Sequence, residues 1–330
     1  MTEPMERRLR IAVLATAPFA VPALEALARD GDDVAAVITR PDRPAGRGRK
    51  LRPPPVKDAA HRLGLAVLQP ERVSRLEGIE MLRGLAPDLL LVAAFGELLS
   101  EEVLSVAPLG AINLHASLLP LYRGAAPIQR AILAGEPETG VTVQWMAREM
   151  DAGDVILRRS LTIGEDEDFG SLHHRLAALG ADAALDALDL IREGEAPREP
   201  QHHSAATYAL SIRPDELVID WREPAAQIAR QVRAFSPLPG ARTTRGTELL
   251  KILAAREAPH RAGEGVSPAP AETSAAGRVA DVTSEGFCVH AAEGRLQVLR
   301  VQPAGGRPMP AAAYAKGHRV ARGEMLGVAS

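Results

Sequence analysis

One cysteine, Cys288, stands in a chain of 330 residues. It permits no intrachain disulfide and no multi-cysteine zinc site, the usage of a reducing compartment. Aromatic residues make up only 3% of the chain, so Leu, Val, Ile and Ala must fill the interior. No apolar run reaches the ~18–20 residues that a membrane helix requires. The run 11–21 behind Arg7, Arg8 and Arg10 imitates a secretory leader, but Pro18 and Pro22 break it and Glu25 soon charges it. A cytoplasmic protein is expected. A formal net charge of −3 supplies no global basic field for nucleic acid. What is present is ordinary in bulk: 46% hydrophobic and 25% charged residues. That balance excludes wholesale disorder, collagen and a coiled-coil rod, and the length allows about two domains.

The charge is unevenly spread. Residues 1–213 hold 24 Lys+Arg against 30 Asp+Glu, whereas residues 214–330 hold 15 against 12. Through the first two hundred residues, short apolar runs alternate with helix-length segments. Strands are predicted over 10–15, 33–39, 66–68, 89–93, 110–114 and 140–146. Helices are predicted over 22–29, 56–63, 74–85, 127–134 and 171–192. Strands without polar residues, separated by helices, indicate a parallel α/β sheet buried on both faces. Residues 193–206 are rich in Pro, Glu, His and Ser and read as a linker. Beyond them one helix, 225–233, is followed by short strand-like runs over 249–254, 277–283, 287–290 and 296–303, the pattern of a small β-barrel. Residues 257–276, largely Ala, Pro, Gly, Glu and Ser, are expected to form a loop inserted between strands.

A Rossmann dinucleotide site needs a glycine-rich turn after the first strand, and Ala15-Thr16-Ala17-Pro18-Phe19-Ala20 contains no glycine. The fold can resemble that class while the ligand differs. Asn113 and His115 share one face of the strand that ends near Leu114, and ligands of open α/β sheets sit beyond such carboxyl ends. An amide beside an imidazole can stabilise an oxyanion and move a proton; a capping Asn and a surface His are the plainer alternative. Asp151, in Met150-Asp151-Ala152-Gly153-Asp154, could orient that imidazole, or simply start a turn. Between Arg40 and Lys57 stand Arg43, Arg47, Arg49, Lys50 and Arg52 against one acid, Asp42. Such a stretch, with Gly46 and Gly48, reads as an irregular loop that threads against phosphates or as a solvated charged loop. Adjacent His173 and His174 point in different directions on a helix, and no metal site is expected there or at His202-His203.

Asn113-Leu114-His115, Ser117-Leu118-Leu119-Pro120, Arg123-Gly124-Ala125-Ala126-Pro127, Thr139-Gly140-Val141-Thr142 and Asp151-Ala152-Gly153-Asp154 together resemble the folate-dependent formyltransferases, and the likeness spans nearly the whole chain. The resemblance implies a Rossmann-like catalytic domain over 1–194, a linker over 195–213 and an OB-like β-barrel over 214–330 that binds tRNA. It implies transfer of the formyl group of 10-formyltetrahydrofolate to the amine of methionine on initiator methionyl-tRNA, by a monomer and without a metal. The family's catalytic trio falls on Asn113, His115 and Asp151. Its folate contacts fall on Ser117, Leu118, Leu119 and Pro120, with Phe95 and Gly96 near the pterin, and its tRNA contacts on Arg43, Arg47 and Lys50. The chain departs from the family pattern at Ala15, Ala17, Phe95, Ala116 and Leu238. The same resemblance leaves an amino-sugar nucleotide as an alternative acceptor, and a catalytically silent tRNA- or folate-binding protein as an alternative of another class.

Overall fold

The structure, a computed structural model, describes residues 8–45, 50–259 and 275–327. The chain divides into two compact units. The first comprises Met1–Pro127, Glu138–Thr162 and His173–Leu210, the second Ile128–Pro137, Ile163–Leu172 and Ser211–Ser330.

In chain order the first part runs β1 (Arg10–Ala15), α1 (Val21–Asp30), β2 (Asp33–Ile38), β3 (Arg43–Ala45), β4 (Lys50–Arg52), α2 (Pro55–Arg62), β5 (Val67–Leu68), α3 (Leu76–Leu85) and β6 (Leu89–Ala93). It continues with α4 (Glu101–Leu104), β7 (Ala111–His115), β8 (Arg123–Gly124), α5 (Pro127–Ala134), β9 (Glu138–Trp145), β10 (Val155–Thr162), α6 (Phe169–Glu193) and β11 (Tyr208–Ala209). Helix α1 begins with Pro22 in its first turn, where the missing N–H costs nothing, and ends at Gly31, whose φ of 94° stops the helix. Its buried face, Ala23, Leu24 and Leu27, covers the sheet side that the sequence pattern assigns to the core.

Seven strands form one sheet in the order β10-β9-β7-β6-β1-β2-β5. Strands β5, β2, β1, β6 and β7 are mutually parallel, and β6 reads Leu-Leu-Leu-Val-Ala with every residue buried. The wholly parallel sheet expected from sequence is therefore amended at one edge, where β9 runs antiparallel to β7 and β10 antiparallel to β9. The turn 146–154 is too short for a crossover, and a short connection can join neighbouring strands only as an antiparallel pair. Strand order reverses at β1, between β6 on one side and β2 on the other, and a ligand crevice is expected at the carboxyl ends there. The turns after β1 and β6 are clipped together by the Thr16 hydroxyl, which donates to the Phe95 carbonyl at 2.9 Å.

The basic stretch is more ordered at its base than the expected irregular loop. Strands β3 and β4 pair antiparallel, Arg43 opposite Arg52 and Ala45 opposite Lys50. Pro44 is tolerated because, among the described residues, β3 pairs with β4 alone and needs no N–H on its outer side. Lys57 is not available to a phosphate: its ammonium lies 2.9 Å from Asp42 and donates to Gln69, and Gln69 in turn donates to Asp42 and to the Arg40 carbonyl. The Lys57 hydrogen bond, with that of Gln69, holds the Asp42 carboxyl below its ordinary range. Arg47 lies outside the described residues, as do residues 260–274, on which most of the expected inserted loop falls.

The second unit is built around α7 (Ala225–Phe235), β12 (Ala241–Arg245), β13 (Glu248–Glu257), β14 (Val279–Val282), β15 (Phe287–His290), β16 (Arg295–Pro303), β17 (Met309–Pro310) and α8 (Ala311–His318). The strands form an antiparallel sheet ordered β12-β13-β16-β15-β14, with β17 on β16. Met325 bridges Arg278 beside β14, and Leu326 bridges Arg245 at the end of β12. One extended segment thus links the two edge strands and protects both from open pairing. Helix α7 buries Ala225, Ile228, Ala229, Val232 and Phe235, an i, i+3, i+4, i+7 stripe that packs on β13.

Candidate active site

Strand β7 ends with its side chains alternating between core and crevice. Ile112 and Leu114 are buried, Asn113 is half-buried, and His115 is only 7% exposed. The turn after β9 brings Asp151 to the same place. Gly153 lets this turn lie directly on the end of β9, because a Cβ there would come within 1.9 Å of the Trp145 carbonyl oxygen. Asp151 itself has φ of 51°, in the left-handed region that a residue with a side chain rarely adopts.

The three residues meet through the Asp151 carboxylate. Its Oδ1 accepts from Asn113 Nδ2 at 3.3 Å and from Gln144 Nε2 at 3.3 Å, and its Oδ2 accepts from the Gly124 backbone N–H at 2.9 Å. His115 Nδ1 stands 3.6 Å from Oδ2, while Nε2 is 3.0 Å from the Tyr122 carbonyl oxygen. A carbonyl only accepts, so Nε2 carries a proton, and Nδ1 is the ring nitrogen left to exchange one. The expected carboxylate–imidazole pair is present, but its separation exceeds a hydrogen bond; the ring is fixed from its other side, by the Tyr122 carbonyl.

Sequence reasoning missed the groups that hold this arrangement. Gln144 faces Asn113 directly across the β7–β9 ladder, and Thr142 faces His115. The signal was present: in β9 the polar Thr142 and Gln144 alternate with Val141, Val143 and Trp145, which marks a polar face inside a buried strand. Gln201 comes from the stretch read as linker, yet it is 5% exposed. Its amide donates to the carbonyls of Asp151 at 2.9 Å and Gly153 at 2.7 Å, and its oxygen accepts from Arg123 Nε at 3.1 Å and a terminal nitrogen at 2.7 Å. Residues around it are tied to the same unit by the Val155–Glu199 bridge and the parallel pair β8–β11.

The segment from Ser117 to Pro120 follows β7 immediately. Ser117 and Leu119 are buried, Leu118 and Pro120 half-buried. The Ser117 hydroxyl donates to the Leu121 carbonyl, and Thr142 Oγ1 joins the Ser117 carbonyl to the Leu119 N–H, so the loop is held by its own polar groups. Phe95 turns into the core cluster with Leu14, Val92 and Val103, whereas Gly96 is exposed with φ of 77°. Arg43 is exposed on β3; Lys50 pairs with Ala45 in the backbone ladder. Among the described residues, no group of three or more His, Cys, Asp or Glu is placed to hold a metal ion, and no helix is long and apolar enough to cross a membrane.

A formyl transferase family model matches residues 9–188, and a model of the formyl transferase C-terminal domain matches residues 211–319. The chain belongs to the formyl transferase family. It is 49% identical over 319 residues to the methionyl-tRNA formyltransferase of Moorella thermoacetica, covering 97% of this chain and 99% of that one. The corresponding protein of Halorhodospira halophila is 48% identical over 315 residues, covering 96% and 98%. Among solved structures, HypX from Aquifex aeolicus in complex with tetrahydrofolic acid superposes with a TM-score of 0.64 at 17% identity, over 94% of this chain and 47% of its own. This formyl transferase thus spans about half the length of HypX. The sugar 3N-formyl transferase WlaRD, with dTDP and 5-N-formyl-THF, gives 0.63 at 16% identity, over 91% and 100%. At such identities the two structures establish a shared fold.

Proposed function

We propose that this formyl transferase moves the formyl group of 10-formyltetrahydrofolate onto the free amine of methionine carried by initiator methionyl-tRNA. Near-half identity to methionyl-tRNA formyltransferases over almost the full length of both chains carries the choice of acceptor. The solved relatives that hold tetrahydrofolic acid or 5-N-formyl-THF support a folate donor. The donor lies across the carboxyl ends of β6 and β7, against Gly96 and the loop Ser117–Pro120, with the pterin by the turn that carries Phe95. Because Phe95 is turned into the core, that turn offers the pterin its backbone and the open surface of Gly96.

Asn113 has two amide protons and spends one on Asp151; the other is free to donate to the oxygen of the formyl group as it becomes an oxyanion. The amine nitrogen forms its bond to the formyl carbon, and the bond from that carbon to the folate nitrogen breaks. His115 Nδ1 takes the amine proton and returns it to the departing folate nitrogen. Asp151, 3.6 Å from His115 Nδ1, stabilises the imidazolium between the two transfers. Arg43, Arg47 and Lys50 contact the tRNA, and the C-terminal domain over 214–330 adds further tRNA surface after the linker 195–213. The likeness to the folate-dependent formyltransferases supports action as a monomer, and the usage of a single buried cysteine supports a cytoplasmic setting.

The test is transfer of labelled formyl from 10-formyltetrahydrofolate to methionyl-tRNA, with an amino-sugar nucleotide as competing acceptor. The proposal predicts label in the tRNA and none in the sugar. Label in the sugar alone, or in neither, would overturn it.

A further inference from the structure

The two residues that flank Arg123 touch the two halves of the proton-transfer pair. The Tyr122 carbonyl accepts from His115 Nε2, and the Gly124 N–H donates to Asp151 Oδ2. Between them the Arg123 side chain turns inward and is only 3% exposed. A buried guanidinium needs strong acceptors. Here Arg123 spends Nε and one terminal nitrogen on the oxygen of Gln201, and that terminal nitrogen also faces His203 Nδ1 at 3.2 Å.

Gln201 then works on the other side of Asp151. Its amide nitrogen reaches the carbonyls of Asp151 and Gly153 and the Gln144 oxygen, at 2.9, 2.7 and 3.0 Å. Gln144 completes the circuit by donating to Asp151 Oδ1. The strained part of the turn is the part so clamped: Asp151 at φ 51°, with Tyr122 at φ 58° on the opposing segment. Left-handed conformations of residues with side chains persist only where surrounding contacts over-determine them. The Arg123–Gln201 contact joins the segment holding His115 to the clamp holding Asp151.

We infer that Arg123 and Gln201 are positioning residues for formyl transfer: Gln201, anchored on the Arg123 guanidinium, holds the Asp151 turn so that its carboxylate faces His115 Nδ1 and Asn113. Neither residue needs to touch the formyl donor or the amine. The inference rests on the functional reading above for its kinetic consequence, and on geometry alone for its structural one.

Gln201→Glu keeps an acceptor for Arg123 and removes the donor that clamps the two carbonyls. It should lower the single-turnover transfer rate on the order of 10- to 100-fold, the cost of misplacing a reacting group by about an ångström, while KM for folate and for tRNA stays within about twofold. In an Asp151→Ala background the same change should alter the residual rate by less than about twofold, because a residue that acts through Asp151 has nothing left to act on. A merely structural role would instead multiply with the Asp151→Ala loss. Should Gln201→Glu fail to fold, Arg123→Lys, which keeps the charge and loses the fork, should show the same pattern with a smaller rate loss. The backbone chemical shifts of Asp151, which report its left-handed φ, give a readout independent of activity: they should move in either variant. If the wild type does not formylate methionyl-tRNA, the functional reading fails, and these shifts still decide the positioning role. Unmoved shifts, an unchanged rate, or losses that multiply with Asp151→Ala would each overturn the inference.

Discussion

Asn113 is the residue whose geometry makes the most specific chemical demand. Its Nδ2 donates to Asp151, and the second proton of that amide is the one proposed for the formyl oxygen. Asn113→Ala should reduce turnover by roughly 10²–10³, the usual cost of one oxyanion donor, in a protein whose Tm is close to that of the wild type. Near-normal turnover in a folded Asn113→Ala protein would remove the oxyanion role. The sequence placed Asn113 and His115 on one strand face and Asp151 on a glycine-containing turn, but joining the three into one trio came from the family resemblance, because strand period and turn chemistry alone fit a capping Asn, a surface His and a turn-starting Asp equally well. Gln144 was legible in principle as a polar residue alternating with valines in β9. Gln201 and Arg123 were not, since their meaning lies in a hydrogen bond between stretches 78 residues apart, and no local period announces it.

Elements were most readable where hydrophobic period and length agreed. Strands β1 and β6 and helix α5 have the bounds expected from pattern alone. Strand β10 was unread because its outer residues Arg158, Arg159 and Ser160 break the apolar run, as befits an edge of the sheet. Helix α8 was unread because its Ala-rich sequence carries little amphipathic contrast, and its docking depends on Tyr314, whose ring is fully buried. The basic hairpin was read by composition, which located the charges but not the β3–β4 pairing or the diversion of Lys57 to Asp42. That diversion removes Lys57 from the cations that the proposed tRNA contact can use. Replacing either Arg43 or Arg47 with Ala should raise KM for methionyl-tRNA by one to two orders of magnitude, about 1.5–3 kcal/mol for one charge-assisted contact made in the productive complex. Binding of the folate donor, measured by titration, should be nearly unchanged, because the Ser117–Pro120 loop is a separate segment held by its own hydrogen bonds. Equal losses for both substrates would assign the hairpin to the fold rather than to the partner.

At the scale of the whole molecule, the absence of a glycine-rich first turn set this mainly parallel sheet apart from the dinucleotide enzymes in the sequence alone, and the family model that matches is that of formyl transferases. The second unit was legible as a small β-barrel of short strands behind one helix, but the residues that link its edge strands were not, because the single-residue bridges at Met325 and Leu326 leave no pattern in the sequence. The proposed chemistry requires His115 and Asp151, separated by 3.6 Å and fixed from both sides, to work as one device. The most direct test is single-turnover formyl transfer to methionyl-tRNA by the wild type, His115→Ala, Asp151→Ala and the double variant. The account predicts a large loss in each single variant and a double variant little slower than the slower single. Wild-type rates in either single variant, or losses that multiply in the double, would contradict it.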